Sequence, residues 1–158
     1  MKLHVVTDPG QLYAGHMTIY PGGQKERLHG HNFRIFLELA LSDGSFAAMI
    51  DLDVARDALT AICNAWRGLL LLPAKNPMLE VVRDDGDELE VRICGDRYVM
   101  PRRDAVFLPI VNASVEGLAE HVADLLAEPL GTLAPVSGYD VRIEELPGIG
   151  ASVWRTVR

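Results

Sequence analysis

Three histidines carry the clearest chemical potential in this chain. His29 and His31 stand two residues apart, and His16 lies upstream across a glycine-rich stretch. In an extended strand a spacing of two puts both side chains on one face, within reach of a single ion. They are also in phase with Phe33, Ile35 and Leu37, so that face is the covered side of the sheet. A hairpin pairing would bring His16 alongside and complete a set of three nitrogen ligands. Neutral imidazoles suit zinc, with Zn–N near ~2.0 Å, and three protein ligands leave a fourth position for water or substrate. That count marks a catalytic type of zinc site rather than a structural one. An H-x-H pair on its own is more often two packed or solvated histidines, so spacing alone does not decide. Of the others, His4 has no partner pattern, and His121 falls between the buried positions of a helix and reads as solvated.

The elements that must position these residues can be read from periodicity. Leu3 to Thr7 and Leu12 to Tyr20 read as strands, the second broken by Pro21-Gly22-Gly23. Leu28 to Leu41 is the clearest strand, with Phe36 interrupting its polar side. Asp53 to Arg67 is helical, with Ala55, Ala58, Leu59, Ile62 and Trp66 on one face, Asp51 or Asp53 as cap and Gly68 as stop. Pro73 and Pro77 bracket a loop. Met78 to Pro101 reads as strands joined by turns. A second helix runs from Val115 to Ala127 behind Ser114, and Tyr139 to Glu145 is a last strand closed by Pro147-Gly148. Strands joined mostly by turns, with two helices, imply an antiparallel α+β fold.

Bulk properties narrow the class. The chain of 158 residues suits one domain spanning 1–158. Its formal charge of −7 gives no general attraction to phosphate backbones, which argues against nucleic acid. Local basic pairs, Lys25 with Arg27 and Arg102 with Arg103, leave a phosphorylated small substrate open. The longest apolar run, Leu69 to Leu72, is far too short to cross a membrane, and Asp8-Pro9-Gly10 precludes a secretory apolar region at the start. A cytoplasmic protein is expected. Cys63 and Cys94 form no C-x-x-C pair and read as reduced, packed thiols.

The string Leu28-His29-Gly30-His31-Asn32-Phe33, preceded by Ala14-Gly15-His16, resembles the 6-pyruvoyl-tetrahydropterin synthase family, which includes 6-carboxytetrahydropterin synthase. The likeness continues through Ile50-Asp51-Leu52, Ser114-Val115-Glu116 and Val141-Arg142-Ile143-Glu144-Glu145-Leu146-Pro147. The resemblance implies a tunnelling fold: an antiparallel four-stranded sheet with two helices on one face, here with an extra β segment from Met78 to Pro101. It implies trimeric barrels stacking as homohexamers, with active sites between subunits. It implies His16, His29 and His31 as zinc ligands and Glu145 as the anchor of a pterin ring. A carboxylate can accept two parallel N–H bonds from the amino-pyrimidinone edge of such a ring.

The pattern also breaks. Most family enzymes carry a cysteine general base shortly before the H-G-H string; here Lys25 and Glu26 occupy that region. A lysine could serve only with a lowered pKa. The family's Asp-His pair after the first helix is missing, and alignment puts Arg67 and Gly68 in its place. The resemblance implies a zinc-dependent lyase acting on the side chain of 7,8-dihydroneopterin triphosphate or a related dihydropterin. The alternatives are a divergent member with aldolase-like or non-pterin chemistry, and a non-catalytic zinc- and ligand-binding homologue.

Overall fold

One long strand organises the molecule. In a computed structural model describing residues 1–8 and 10–157, β1 (Lys2–Val6) and β2 (Leu12–His16) are followed by two short strands, β3 (Ile19–Tyr20) and β4 (Gln24–Lys25), and then by β5 (His29–Leu41). Along β5, Phe33, Ile35, Leu37 and Leu39 are fully buried while the residues between them are not. This is the alternation expected of a strand with one covered face. On the other face, Phe36 lies between two guanidinium groups, Arg34 at 5.0 Å and Arg142 at 4.0 Å from its ring. Cation–π contact accounts for an aromatic side chain among polar neighbours.

Two helices cover the apolar face. α1 (Asp53–Trp66) follows β5, then come β6 (Leu70–Pro73), a meander of β7 (Leu79–Asp84), β8 (Glu88–Ile93) and β9 (Asp96–Pro101), and β10 (Ala105–Leu108). α2 (Val115–Gly131) precedes a final hairpin of β11 (Val136–Leu146) and β12 (Ile149–Thr156). Asp51 accepts the Asp53 N–H at the head of α1, and Ser114 accepts the Gly117 N–H at the head of α2, which satisfies donors the helix cannot pair internally. α2 runs past Pro129 to Gly131 because Leu130 is fully buried, and a proline so near the end costs few helical hydrogen bonds. Neither helix is long and apolar enough to cross a membrane.

The α+β class is as expected, but the sheet is mixed rather than purely antiparallel. Its order is β10-β6-β2-β5-β11-β12, with β1 also paired to β5. The antiparallel part comprises β1 and β2 end to end along one edge of β5, then β11 and β12 along the other. β6 and β10 extend it in parallel. Between Gly68 and the loop bracketed by Pro73 and Pro77, where no element was expected, lies a strand. Leu70 to Pro73 are all buried, and a short apolar run covered on both faces shows no alternation to read. β12 was likewise not expected: Pro147-Gly148 is a hairpin turn between Leu146 and Ile149, with Gly148 at φ +81°, rather than an end. The expected strand Leu12 to Tyr20 breaks after His16, where the chain leaves the sheet to form the β3–β4 hairpin. The three strands between Met78 and Pro101 are present as a separate antiparallel sheet.

Candidate metal and pterin site

Strand register delivers the histidines. The β2–β5 ladder sets His16 directly opposite His29 and Ala14 opposite His31. The ring centroids lie 4.6, 5.2 and 4.8 Å apart, and one nitrogen from each ring falls within 4.8 Å of the others. Phe33 stands edge-on to His16 and His31 and forms the floor. Gly30, between the two β5 histidines, lets the strands approach closely; a Cβ there would sit 3.1 Å from the Ala14 carbonyl oxygen.

Hydrogen bonds fix which nitrogens face inward. His16 Nδ1 lies 2.7 Å from the Ala113 carbonyl, and His29 Nδ1 lies 2.8 Å from the Arg27 carbonyl. A carbonyl only accepts, so each Nδ1 carries the proton and each Nε2 presents a lone pair. Among the described residues, His16 Nε2 is buried with no hydrogen-bond partner. His29 Nε2 and His31 Nε2 stand 3.1 Å apart. Lone pairs pointed at one another repel unless a proton or a cation lies between them. Burial lowers the His16 pKa, partly offset by its bond to Ala113, and so favours the neutral ligand form. An orphaned buried nitrogen, inward lone pairs and carbonyl-locked outer nitrogens together fit a small N-preferring cation.

Glu145 sits at the irregularity in the β11–β12 ladder, with a carboxylate oxygen 3.9 Å from His31 Nε2. It lines a cleft of about 420 Å³ with His31, Asn32, Arg34, Leu146 and Pro147. The three histidines and Glu145 are thus brought to one place.

Lys25 and Glu26 diverge. Lys25 Nζ pairs with Asp96 at 2.9 Å and lies 5.3 Å from the Tyr98 ring centre, so β9 holds it. Its pKa is raised by bonding to Tyr98 and Asp96, opposite to what a lysine base requires. Glu26 turns the other way: one carboxylate oxygen accepts the Thr18 N–H at 3.0 Å, the other the Tyr20 hydroxyl at 3.1 Å. Burial pushes its pKa up, but the Thr18 and Tyr20 bonds and the nearby His29 outweigh that and hold it below the ordinary value. Arg67 and Gly68 form the C-terminal turn of α1, Arg67 bonding back to Cys63 and Gly68 to Tyr13; they present no acid–base pair. His121, expected to be solvated, is half-buried and stacked on Trp66 with ring centroids 5.7 Å apart and planes 10° from parallel. Sequence reasoning missed Thr18, Tyr20 and the Asn112-Ala113 segment. Asn112 pairs through its side chain with both backbone groups of Ile19. The Pro21-Gly22-Gly23 turn is the local signal that could have brought Thr18 and Tyr20 opposite Glu26, whereas Asn112 and Ala113 arrive from more than ninety residues away and carry no local pattern.

Residues 6–156 match the family model for 6-pyruvoyl tetrahydropterin synthase. The chain belongs to that family. A Halobacterium salinarum member named a probable 6-carboxy-5,6,7,8-tetrahydropterin synthase is 31% identical over 152 residues, 94% of this chain and 86% of that protein. The 6-pyruvoyl tetrahydropterin synthase of Plasmodium vivax shares the fold, with a TM-score of 0.86 at 22% identity over 99% of both chains. That of Plasmodium falciparum superposes with a TM-score of 0.85 at 21% identity, again over 99% of both. Among the P. vivax structures is a variant with alanine in place of a glutamate described as a catalytic residue.

Proposed function

We propose that this member of the 6-pyruvoyl tetrahydropterin synthase family is a zinc-dependent lyase acting, as one domain over 1–158, on the side chain of 7,8-dihydroneopterin triphosphate or a related dihydropterin. The observation that carries the reading is the convergence of three histidines beside a cleft walled by Glu145. His16, His29 and His31 hold the ion. Bound there, zinc supplies Lewis-acid polarisation of oxygens on the substrate side chain. Glu145 accepts two N–H bonds from the amino-pyrimidinone edge and fixes the ring. Glu26 is the general base: its depressed pKa, to which the charge of His29 contributes, keeps it ionised at neutral pH. The catalytic glutamate of the P. vivax enzyme supports this choice. Lys25, charged and paired with Asp96, holds the hairpin instead. Among the described residues the sheet ends in β12 on one side, and β1 is paired only along β5; open edges of this kind suit joining to further copies, in line with a homohexamer built from trimeric barrels.

Metal analysis should give roughly one zinc per chain, lost in His16→Ala. Incubation with 7,8-dihydroneopterin triphosphate and its dephosphorylated form, followed by mass spectrometry, should show loss or rearrangement of the side chain. Zinc-dependent pterin binding without any product would overturn the enzymatic reading. A two-carbon fragment released from the side chain would replace the lyase with an aldolase. Light scattering should return a multiple of three chains.

A further inference from the structure

We propose that Tyr20 is a second proton-transfer residue of this site, working with Glu26 on the same substrate side chain. This rests on Glu26 being the base, as read above. Tyr20 ends β3 at the turn of the small hairpin, across from Gln24, with Lys25 and Glu26 next along the chain. The Glu26 carboxylate is gripped by two unlike donors, the Thr18 amide at 3.0 Å and the Tyr20 hydroxyl at 3.1 Å. The amide cannot release its proton; the phenol can. The Tyr20 side chain is also open, at 45% exposure, so an incoming molecule can reach it.

A second carboxylate acts on the same phenol. Bonding to Glu26 raises the Tyr20 pKa, and the charge of Glu145 adds to the effect. Tyr20 therefore lies in the field of both the base and the proposed ring anchor, and it holds its proton at neutral pH. An acid at rest next to an ionised base is the pairing needed to move a hydrogen from one atom of a substrate to another.

The step balances without an outside partner. The Glu26 carboxylate takes a proton from a C–H or O–H group of the side chain. The electron pair left behind shifts along the side chain, and the Tyr20 phenol delivers its proton to the atom that receives it. The proton on Glu26 then crosses the hydrogen bond to the phenolate oxygen. Phenol and carboxylate are restored, and the substrate has been isomerised with no net gain or loss of protons or electrons.

The test uses the zinc-loaded full chain with Tyr20→Phe and Glu26→Gln. Three quantities are read: turnover of a dihydroneopterin substrate, affinity by fluorescence titration, and deuterium uptake from heavy water into the bound substrate's side chain by NMR. Tyr20→Phe should bind normally and keep exchanging deuterium, since Glu26 still abstracts, while kcat falls about 10²-fold. Glu26→Gln should lose exchange and turnover together. If Tyr20→Phe loses both in parallel, Tyr20 only orients Glu26 and the relay is overturned. If Tyr20→Phe behaves as the natural chain while Glu26→Gln is inactive, Tyr20 has no role and the reading of Glu26 stands. If the natural chain neither exchanges nor converts the substrate it binds, both readings fall.

Discussion

The proposed metal ligands and the proposed general base rest on different foundations. His16, His29 and His31 stand on β2 and β5, whose neighbours Leu12, Ala14, Phe33 and Ile35 belong to the large core shared with both helices. Glu26 follows a two-stranded hairpin whose Ile19 packs instead into a smaller cluster with Met17, Leu72, Leu89, Val91 and Ile93. That cluster is built largely by the meander β7–β9. Asn112, paired with Ile19, and the Lys25–Asp96 ion pair are its polar fastenings. The histidine geometry is thereby secured by the part of the chain with the most apolar burial. The hairpin that leads into Glu26 is secured by a satellite cluster, which touches the histidine set through Met17, beside His16, and through Asn112, beside the Ala113 carbonyl that holds His16.

This contrast can be broken at several points. The largest effect should come from Glu26→Gln, which should cut kcat about 10²- to 10⁴-fold while elemental analysis still finds full zinc. Loss of zinc in that variant would merge the two regions into one. Phe33→Ala removes the buried ring beneath two of the histidines and should cost about 3–5 kcal/mol in denaturant unfolding, with zinc content falling alongside. Leu89→Ala in the satellite should cost about 2–5 kcal/mol if the two clusters unfold as one unit. If they unfold separately, the global midpoint should barely move, and amide exchange should quicken in the meander and hairpin alone.

Asp96→Asn should be milder. It leaves Lys25 a neutral partner, so kcat should fall less than tenfold, with zinc and the unfolding midpoint nearly unchanged. The smallest effect belongs to His121, whose pKa burial against Trp66 lowers. Its unfolded value near 6.5 exceeds its folded one, so the unfolded chain binds the proton first. Stability is therefore full above about pH 6.5 and declines as pH falls through the folded pKa. His121→Gln should flatten that decline in thermal melts between about pH 7 and 5.

Much of this was legible from the sequence because the relevant pattern is local. Alternation along Phe33 to Leu39 specified the covered face, and a spacing of two put His29 and His31 on it. His16 was within reach because a hairpin-like return is the simplest path between neighbouring strands. Most of what escaped was set by contacts distant in sequence. Leu70 to Pro73 is a strand because α1 and the meander bury it from both sides, and such a run has no period. The capture of Lys25 by Asp96 depends on how a short hairpin meets a meander some seventy residues later; the Tyr20–Glu26 bond is local, and it escaped because Pro21-Gly22-Gly23 was read as the end of a strand and not as the turn of a hairpin. His121 was read as solvated because helix periodicity says nothing about the Trp66 ring brought over it by α1.

Gly30 gives the three-histidine cluster a property that its side chains alone would not have. Residues directly opposite one another on antiparallel strands have Cα atoms about 4.5–5.5 Å apart, and His16 faces His29 across such a gap. In the proposed chelate, the spacing of the His16 and His29 backbones is set by the width of a β ladder. Gly30→Ala would act as a shim, prising β2 from β5 where a Cβ meets the Ala14 carbonyl. The three imidazoles would part although every proposed ligand remained in the sequence.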